Sequence, residues 1–194
     1  MRRTILVLSV LAVAAAAVAA VLAVGAAIGP GAAQARAFGL QFGRPRISPH
    51  ESTSETVGGA KLTIVYGRPS MRGRTIYGSL IPYGVVWCPG ADEATTLEST
   101  RPIRMGDFTI PRGPHTIWVI PTRDRWTLIV SEEESGFHTR YPYGSDLGRV
   151  EFTKRDLAQP IERLTFEIRP GPSNTGTIAM LWEKTEASVA FTVQ

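Results

Sequence analysis

The 194-residue sequence contains a single cysteine, Cys88, and only three histidines. One cysteine excludes an internal disulfide, so the fold has to be stabilised by packing alone. His50, His115 and His138 form neither an H-x-H nor an H-E-x-x-H arrangement, so their spacing gives no metal signature. We therefore predict no metal and no cofactor.

A strong excess of positive charge is also missing once the N-terminal leader is set aside. The chain has 21 Lys+Arg and 17 Asp+Glu, and three of its arginines, Arg2, Arg3 and Arg36, precede residue 38. The remainder carries 18 basic against 17 acidic residues, a net charge of +1. A nearly neutral domain lacks the basic surface of a nucleic-acid binder, so no nucleic-acid partner is predicted.

The first 37 residues are predicted to be a signal peptide or a membrane anchor. Two arginines precede an uncharged apolar run from residue 5 to about residue 28, which Gly-Pro-Gly and two A-x-A sites follow, ending at Ala35 and Ala37. This is the order of a secretory signal peptide. The run exceeds the usual core of ~7–15 residues and reaches the about 20 that span a bilayer, so an uncleaved anchor is the alternative. We expect a periplasmic or extracellular protein, or one anchored to the membrane by this segment.

No long segment with helical periodicity occurs outside the leader, and the dominant repeat after residue 60 is two. In "KLTIVY" the apolar residues Leu62, Ile64 and Tyr66 fall on one side of the chain, and "RLTFEI" and "ASVAFTV" alternate in the same way. Such alternation places one face of a strand against a core and the other toward water. "HTIWVIP" and "RWTLIVS" are apolar on both faces, which is typical of central strands.

Short strands separated by turn residues, such as Gly58-Gly59 and Gly106-Asp107, favour a sandwich or barrel. We predict an all-β fold, a single-domain antiparallel β-sandwich over residues 57–194, preceded by the hydrophobic leader helix. Residues 38–56 have few apolar side chains and are predicted to form a linker or arm. Residues 153–159, which precede a proline, are predicted to form one helical turn.

Cys88 ends the apolar stretch "VVWC" and precedes a Pro-Gly pair. A catalytic cysteine needs a nearby base or positive charge to form the thiolate. At the end of a buried strand, however, a cysteine is more often a small apolar residue of the core. We therefore predict no catalytic residue, and a nucleophilic Cys88 is the alternative.

Two charged groups are candidates for a binding site. Arg68, Arg72 and Arg74 lie in "YGRPSMRGR", a glycine-containing turn from which arginines can grip a phosphate or a carboxylate. Asp92 and Glu93 follow the Pro-Gly turn and are able to pair with these arginines, hold a cation or divide acid and base roles. The alternatives are an exposed basic turn and a loop acid that caps backbone N–H groups.

His138 and Tyr141 lie in "FHTRYPYGSDLGR", a loop rich in Tyr, Gly and Arg. Loops carry binding residues more often than cores do, so we predict that these two close one side of the polar cluster. A histidine with a purely structural role is the alternative for His138. The four tryptophans lie on apolar strands and are assigned to the core.

Three short segments carry a resemblance to a known family: "YGRP" at 66–69, "RGR" at 72–74 and "GADEAT" at 90–95. Together with "MGDFTIPRGPHTIWVIPTRDRWTLIVS" and the closing "LWEKTEASVAFTVQ", they resemble the DUF2911 domain family from about Ile47 to Gln194. The resemblance implies an exported, mostly β bacterial domain without an established activity, and it supplies no catalytic residues. It further implies that the position of Cys88 often holds another residue, commonly arginine, which argues against a catalytic thiol.

We expect a non-enzymatic ligand-binding or structural module of the cell envelope. Its partner would be an unknown small molecule or an envelope component, and it would contact the membrane only through the N-terminal segment, if that segment is uncleaved. The alternative is a metal- or carboxylate-dependent hydrolase. In that case Asp92, Glu93 and His138 have to converge in one pocket.

Overall fold

The structure, a computed structural model, describes residues 47–194, which form nine β-strands and no helix. The strands are β1 (His50–Val57), β2 (Ala60–Gly67), β3 (Thr96–Ser99), β4 (Ile103–Met105), β5 (Phe108–Ile110), β6 (Gly113–Pro121), β7 (Trp126–Ser131), β8 (Asp146–Pro170) and β9 (Thr175–Val193). All pair antiparallel, in the order β1-β2-β3-β6-β7-β8-β9-β4-β5. The prediction of an all-β antiparallel fold is confirmed.

The predicted leader helix, residues 1–37, lies outside the described residues, as does the first part of the predicted arm. Among residues 47–194, no helix is long and apolar enough to cross a membrane. These residues belong to one compact unit.

Alternating apolar residues form the main core, as the period of two predicts. In β2 the side chains of Leu62, Ile64 and Tyr66 are buried, while Thr63 and Val65 between them are partly exposed. The same alternation buries Phe166 in β8 and Phe191 in β9. Side chains from β2, β8 and β9 therefore meet in one cluster.

The central strands β6 and β7 are buried on both faces, as their continuous apolar sequences predict. Val119 and Val130 point into the main core. Trp118 and Ile129 point the other way, into a second cluster that includes Cys88. The loop after β7 contributes to this second cluster and covers part of it.

Part of the predicted arm is strand β1, so the prediction of a linker is wrong for residues 50–56. β1 pairs with β2 along its whole length through a two-residue turn, Gly58-Gly59. Both glycines have positive φ, 53° and 77°, as the favoured two-residue hairpin turn requires. β1 is the first strand in the sheet order, and only its last residue, Val57, is buried. A strand so exposed carries no apolar alternation.

The predicted helical turn at 153–159 is also wrong, because these residues continue β8. Asp156 of β8 pairs with Thr185 of β9, and the next paired residue of β8, Ile161, pairs with Glu183. β8 therefore has more residues between these two pairs than β9 has. The surplus residues form a bulge that contains Pro160. A bulge tolerates proline, which cannot donate to the ladder, and it bends the strand.

The sheet curls back on itself, because the chain just after β2 pairs with the second half of β8. Leu164 N donates to Pro69 O at 3.0 Å, and Met71 N donates to Glu162 O at 2.8 Å. An isolated antiparallel bridge joins Ser70 to Arg163. One continuous sheet thus wraps around the core; its division into the two layers of a sandwich remains a prediction.

A buried carboxylate ties β8 to β9. Glu186 is only 3% exposed and accepts hydrogen bonds from two arginines of β8. Arg169 donates through both terminal nitrogens, at 2.8 and 3.1 Å, and Arg155 donates at 2.6 Å. The bonds from Arg169, followed by those from Arg155, lower the pKa of Glu186 from the ordinary 4.5 to about 2. The ionised form therefore stabilises the folded chain.

Replacing this carboxylate by Glu186→Gln is expected to lower the free energy of unfolding by about 2 kcal/mol at neutral pH, since the partly exposed arginines lose their anion. Because the folded-state pKa lies below the ordinary value, the stabilisation is complete above pH 4.5 and is lost as the pH falls toward 2. Urea unfolding of both proteins between pH 7 and pH 2 measures this difference. Glu167→Gln, which removes the exposed partner of Arg169, is the control and should change stability by less than about 1 kcal/mol. An equal effect of the two changes would contradict the account.

Candidate functional site

A cavity of about 590 Å³ lies between the arginine-containing turn and the segment that leads to Cys88. The residues that line it come from within the segments 47–48, 69–74, 80–87 and 90–91, together with His138 and Trp182. Two of the sequence segments that carry candidate residues therefore face each other across one space. The pairing of residues 69–71 with β8 brings the turn to this position.

Aromatic rings form the inner wall of the cavity. The indoles of Trp87 and Trp182 stack with centroids 6.1 Å apart and planes inclined by 21°. Tyr77 lies edge-on to both at 6.3 Å and to Trp126 at 4.5 Å. Trp182 is fixed further by a hydrogen bond from its Nε1 to Glu162 O at 3.1 Å. The wall is therefore built from rings held by several neighbours.

The hydroxyl of Tyr77 is buried and has no hydrogen-bond partner within residues 47–194. Burial is the main cause that raises its pKa well above the ordinary 10, with a further contribution from Glu183. The hydroxyl therefore stays protonated. The ring of Tyr77 packs against the two cavity tryptophans, and its backbone N donates to Glu183 Oε2 at 3.4 Å.

The mouth of the cavity is apolar and exposed to water. Leu80 and Val85 line it and are 46% and 53% exposed, and Ile47 is exposed beside them. These three are half of the large apolar side chains that are exposed within residues 47–194. A contiguous group of exposed apolar residues around a concavity is typical of a binding site.

Two arginines supply the charge of the cavity wall. Arg72, Arg74 and His138 line it, and none of the lining residues that the structure describes is Asp or Glu. Within residues 47–194, neither guanidinium forms an ion pair with a carboxylate. The charged side chains that line the cavity are therefore all basic.

The two cavity arginines are held by backbone carbonyls. Arg72 donates from Nη2 to Ile47 O at 3.1 Å, and Arg74 donates from Nε and Nη2 to Met71 O and Ser70 O at 2.9 and 2.8 Å. Each guanidinium carries five N–H donors. One is used by Arg72 and two by Arg74, so four and three remain for water or a ligand.

Arg68, the third arginine of the predicted cluster, has a different role and does not line the cavity. It donates to Glu51 Oε2 at 2.9 Å, Thr165 Oγ1 at 2.9 Å and Leu164 O at 3.0 Å. These contacts join β1, the end of β2 and β8. Arg68 therefore stabilises the closure of the sheet.

The backbone of Asp92, and not its carboxylate, holds His138. Both His138 N and Nδ1 lie within hydrogen-bond distance of Asp92 O, at 3.1 and 2.7 Å. A carbonyl oxygen only accepts, so Nδ1 carries a proton, and Nε2 is the remaining polar atom of the ring. Glu93 lies 3.3 Å from His50 Nδ1. Of Asp92, Glu93 and His138, only His138 lines the cavity.

Tyr141 does not line the cavity either, although the sequence grouped it with His138. Its ring lies edge-on to Trp118 at 5.2 Å, in the second apolar cluster. Its hydroxyl donates to the Asp146 carboxylate and accepts from Arg149 Nη2 at 3.2 Å. Burial, followed by the bond to Asp146, raises the pKa of Tyr141 to about 12. Tyr141 therefore packs the loop after β7 against the second apolar cluster, on β6 and β7.

Cys88 is buried, as the end of an apolar stretch predicts. Its Sγ accepts from Thr95 N at 3.3 Å and lies 3.9 Å from Ile117 O. Burial raises the pKa of the thiol to about 11. The thiol is therefore protonated at neutral pH and serves packing. Within residues 47–194, no group of three or more His, Cys, Asp and Glu is placed to hold a metal ion.

Sequence reasoning missed the apolar half of the site. The strand pattern places Trp87 and Trp182 in the core and Val85 in the apolar stretch before Cys88, and it gives no role to Leu80. A signal was present in "TIYGSLIPYGVVW", where apolar residues are interrupted by Gly and Pro and follow neither period. Apolar residues in such a segment are often exposed, and exposed apolar residues in a loop indicate a contact surface.

Gly67 allows the cavity wall to approach β2, so Gly67→Ala should displace it. A Cβ at this position would lie 2.1 Å from Ala91 O, and a backbone atom cannot move without its loop. We expect the free energy of unfolding to fall by about 1–3 kcal/mol, measured by urea denaturation. Gly136→Ala is the control, because its Cβ would have only an ordinary contact, 3.8 Å from Ala94 Cβ, and should change stability by about 0.5 kcal/mol at most. Equal stabilities of the two variants would contradict the close approach.

The comparison with known proteins identifies one family. The family model described as "Protein of unknown function (DUF2911)" matches residues 48–191. No curated protein and no solved structure matches the chain. The match spans nearly the range over which the sequence motifs resemble this family. The chain belongs to the DUF2911 family.

Proposed function

We propose that this domain is a non-enzymatic module that binds a small, largely apolar molecule in the cavity beside Trp87 and Trp182. The observation that carries the proposal is the stacked indole pair behind a mouth of exposed apolar side chains. A volume of about 590 Å³ lies within the range of ~300–1,000 Å³ typical of small-molecule sites.

The apolar mouth provides the driving force for binding. Leu80 and Val85 are exposed to water in the unliganded domain. A ligand that covers apolar surface gains about 25 cal/mol for each Å² removed from water. Because the aromatic wall is already packed, little ordering of the inner side chains would oppose this gain.

Unusual backbone conformations surround the same cavity. Arg72 lies in its wall with a φ of 51°, Asp92 follows the wall residue Ala91 with a φ of 67°, and Glu183 follows Trp182 with a φ of 53°. Such conformations in residues other than glycine cost of order 1–3 kcal/mol each and concentrate at binding and active sites. Their position supports a functional cavity.

The competing functions fit this arrangement less well. A hydrolase needs Asp92, Glu93 and His138 in one pocket, and the cavity contains only His138 of the three. A purely structural module predicts arginines fully paired with acids, which describes Arg68 but neither Arg72 nor Arg74. Binding without catalysis accounts for both observations.

We further propose that the domain acts outside the cytoplasm, in the periplasm or the extracellular space. The support is the N-terminal signal-like segment, and the alternative of a membrane anchor follows from the same segment. The ligand would then be a small molecule or component of the cell envelope.

We also propose that the curled sheet packs as a two-layer sandwich, supported by the contact between the rings of Tyr66 in β2 and Phe166 in β8.

Titration with a neutral ω-brominated undecanol tests the binding proposal, because bromine quenches the fluorescence of an indole that it contacts. We expect saturable quenching of the purified protein. Val85→Asp should raise the Kd at least about tenfold, since binding would remove water from a new charge at the mouth.

Tyr143→Asp is the matched control, because Tyr143 is 85% exposed and does not line the cavity. It should bind the alcohol as the unchanged protein does. Absence of saturable quenching, or equal affinity of the Val85→Asp and Tyr143→Asp variants, would overturn the proposed function.

A further inference from the structure

We propose that the ligand carries a carboxylate, held at the rim of the cavity by Arg72 and Arg74, while its apolar body lies against Trp87 and Trp182. This inference rests on the proposed binding function and specifies the chemical class of the ligand: a small organic acid with an apolar chain or ring. It follows from the charge, the hydrogen-bond donors and the position of the two arginines.

Charge complementarity favours an anion. The cavity wall contains two arginines and a histidine, and none of the wall residues that the structure describes is acidic. Several other arginines of the fold have acidic partners, as in the pairs Arg68–Glu51 and Arg169–Glu186. Within residues 47–194, no carboxylate pairs with the guanidinium of Arg72 or Arg74. The nearby Glu162 carboxylate accepts from the backbone N of Arg72, at 2.9 Å. A ligand carboxylate would supply an acidic partner to these guanidinium groups.

The guanidinium groups are held in place with donors left over. The hydrogen bonds from Arg72 to Ile47 O and from Arg74 to Met71 O and Ser70 O restrict the orientation of each guanidinium group. Planar guanidinium groups match the two oxygens of a carboxylate, and hydrogen bonds between charged partners are about twice as strong as neutral ones. The turn is therefore partly organised for an oxyanion before one binds.

His138 adds a third polar group to the same wall. Its Nδ1 proton is directed to Asp92 O, which fixes the orientation of the ring. Nε2 is the remaining polar atom of the ring and is able to contact a bound ligand. The apolar wall and the cationic rim together recognise a molecule with an apolar body and an acidic end.

The test compares two ligands that differ only in the end group. The ω-brominated undecanoate and the ω-brominated undecanol are titrated into the unchanged protein, into an Arg72→Gln/Arg74→Gln variant and into an Arg104→Gln/Arg112→Gln variant. The last pair is the control: both arginines are exposed and outside the cavity, and the change in net charge is the same. Quenching of tryptophan fluorescence gives the Kd of each complex.

We expect the carboxylate to bind the unchanged protein about tenfold more tightly than the alcohol. The preference for the carboxylate should vanish in the Arg72→Gln/Arg74→Gln variant. Its affinity for the alcohol should stay within about twofold of that of the unchanged protein, and this retained binding also shows that the variant is folded. The control variant should keep the preference. Addition of salt should weaken binding of the carboxylate more than binding of the alcohol.

Three results would overturn the inference. Equal affinities for acid and alcohol would leave an apolar binding site without an anion subsite. Loss of the preference for the carboxylate in both double variants would show that it depends on the net charge of the protein and not on Arg72 and Arg74. Retention of the preference in the Arg72→Gln/Arg74→Gln variant would place the carboxylate elsewhere. If neither ligand bound, the proposed function itself would fail, so the two failures are distinguishable.

Discussion

The antiparallel contact between residues 69–71 and the second half of β8 is the interaction on which the cavity depends. It brings a turn that follows β2 next to a strand that begins about eighty residues later, and Arg68 reinforces it with bonds to Leu164 and Thr165. Because the turn continues directly into Arg72 and Arg74, the same contact sets both arginines opposite the aromatic wall. Closing the sheet and forming the site are therefore one structural event.

The three arginines of one short segment serve two purposes, and burial decides between them. A half-buried guanidinium such as that of Arg68 needs compensation for lost water, and Glu51, Thr165 and a carbonyl supply it. Arg72 and Arg74 remain exposed and need no acidic partner within the fold. Their charge is therefore available at the surface, where it adds polarity to a cavity that is otherwise apolar. This division of roles suits an amphipathic ligand.

The sequence predicts the strands well where one face is buried, because burial imposes a period of two on β2 and on the second half of β8. It fails at β1, whose exposed side chains leave no such period, and at the bulge around Pro160, where the proline pattern predicts the end of a helical turn. Of the candidate site residues that it predicts, Arg72, Arg74 and His138 line the cavity. The sequence could not separate them from Arg68, Glu93 and Tyr141, because that separation depends on contacts between residues far apart in sequence. The tryptophans were assigned to the core because a strand pattern does not reveal which buried ring also borders a cavity.

A crystal structure of the protein with ω-brominated undecanoate, using the anomalous signal of bromine, tests the central claim most directly. The account predicts one bromine site inside the cavity, beside the indoles of Trp87 and Trp182, and carboxylate oxygens within hydrogen-bond distance of Arg72 or Arg74. A bromine site elsewhere on the protein, or an empty cavity at a concentration that saturates the fluorescence titration, would contradict it.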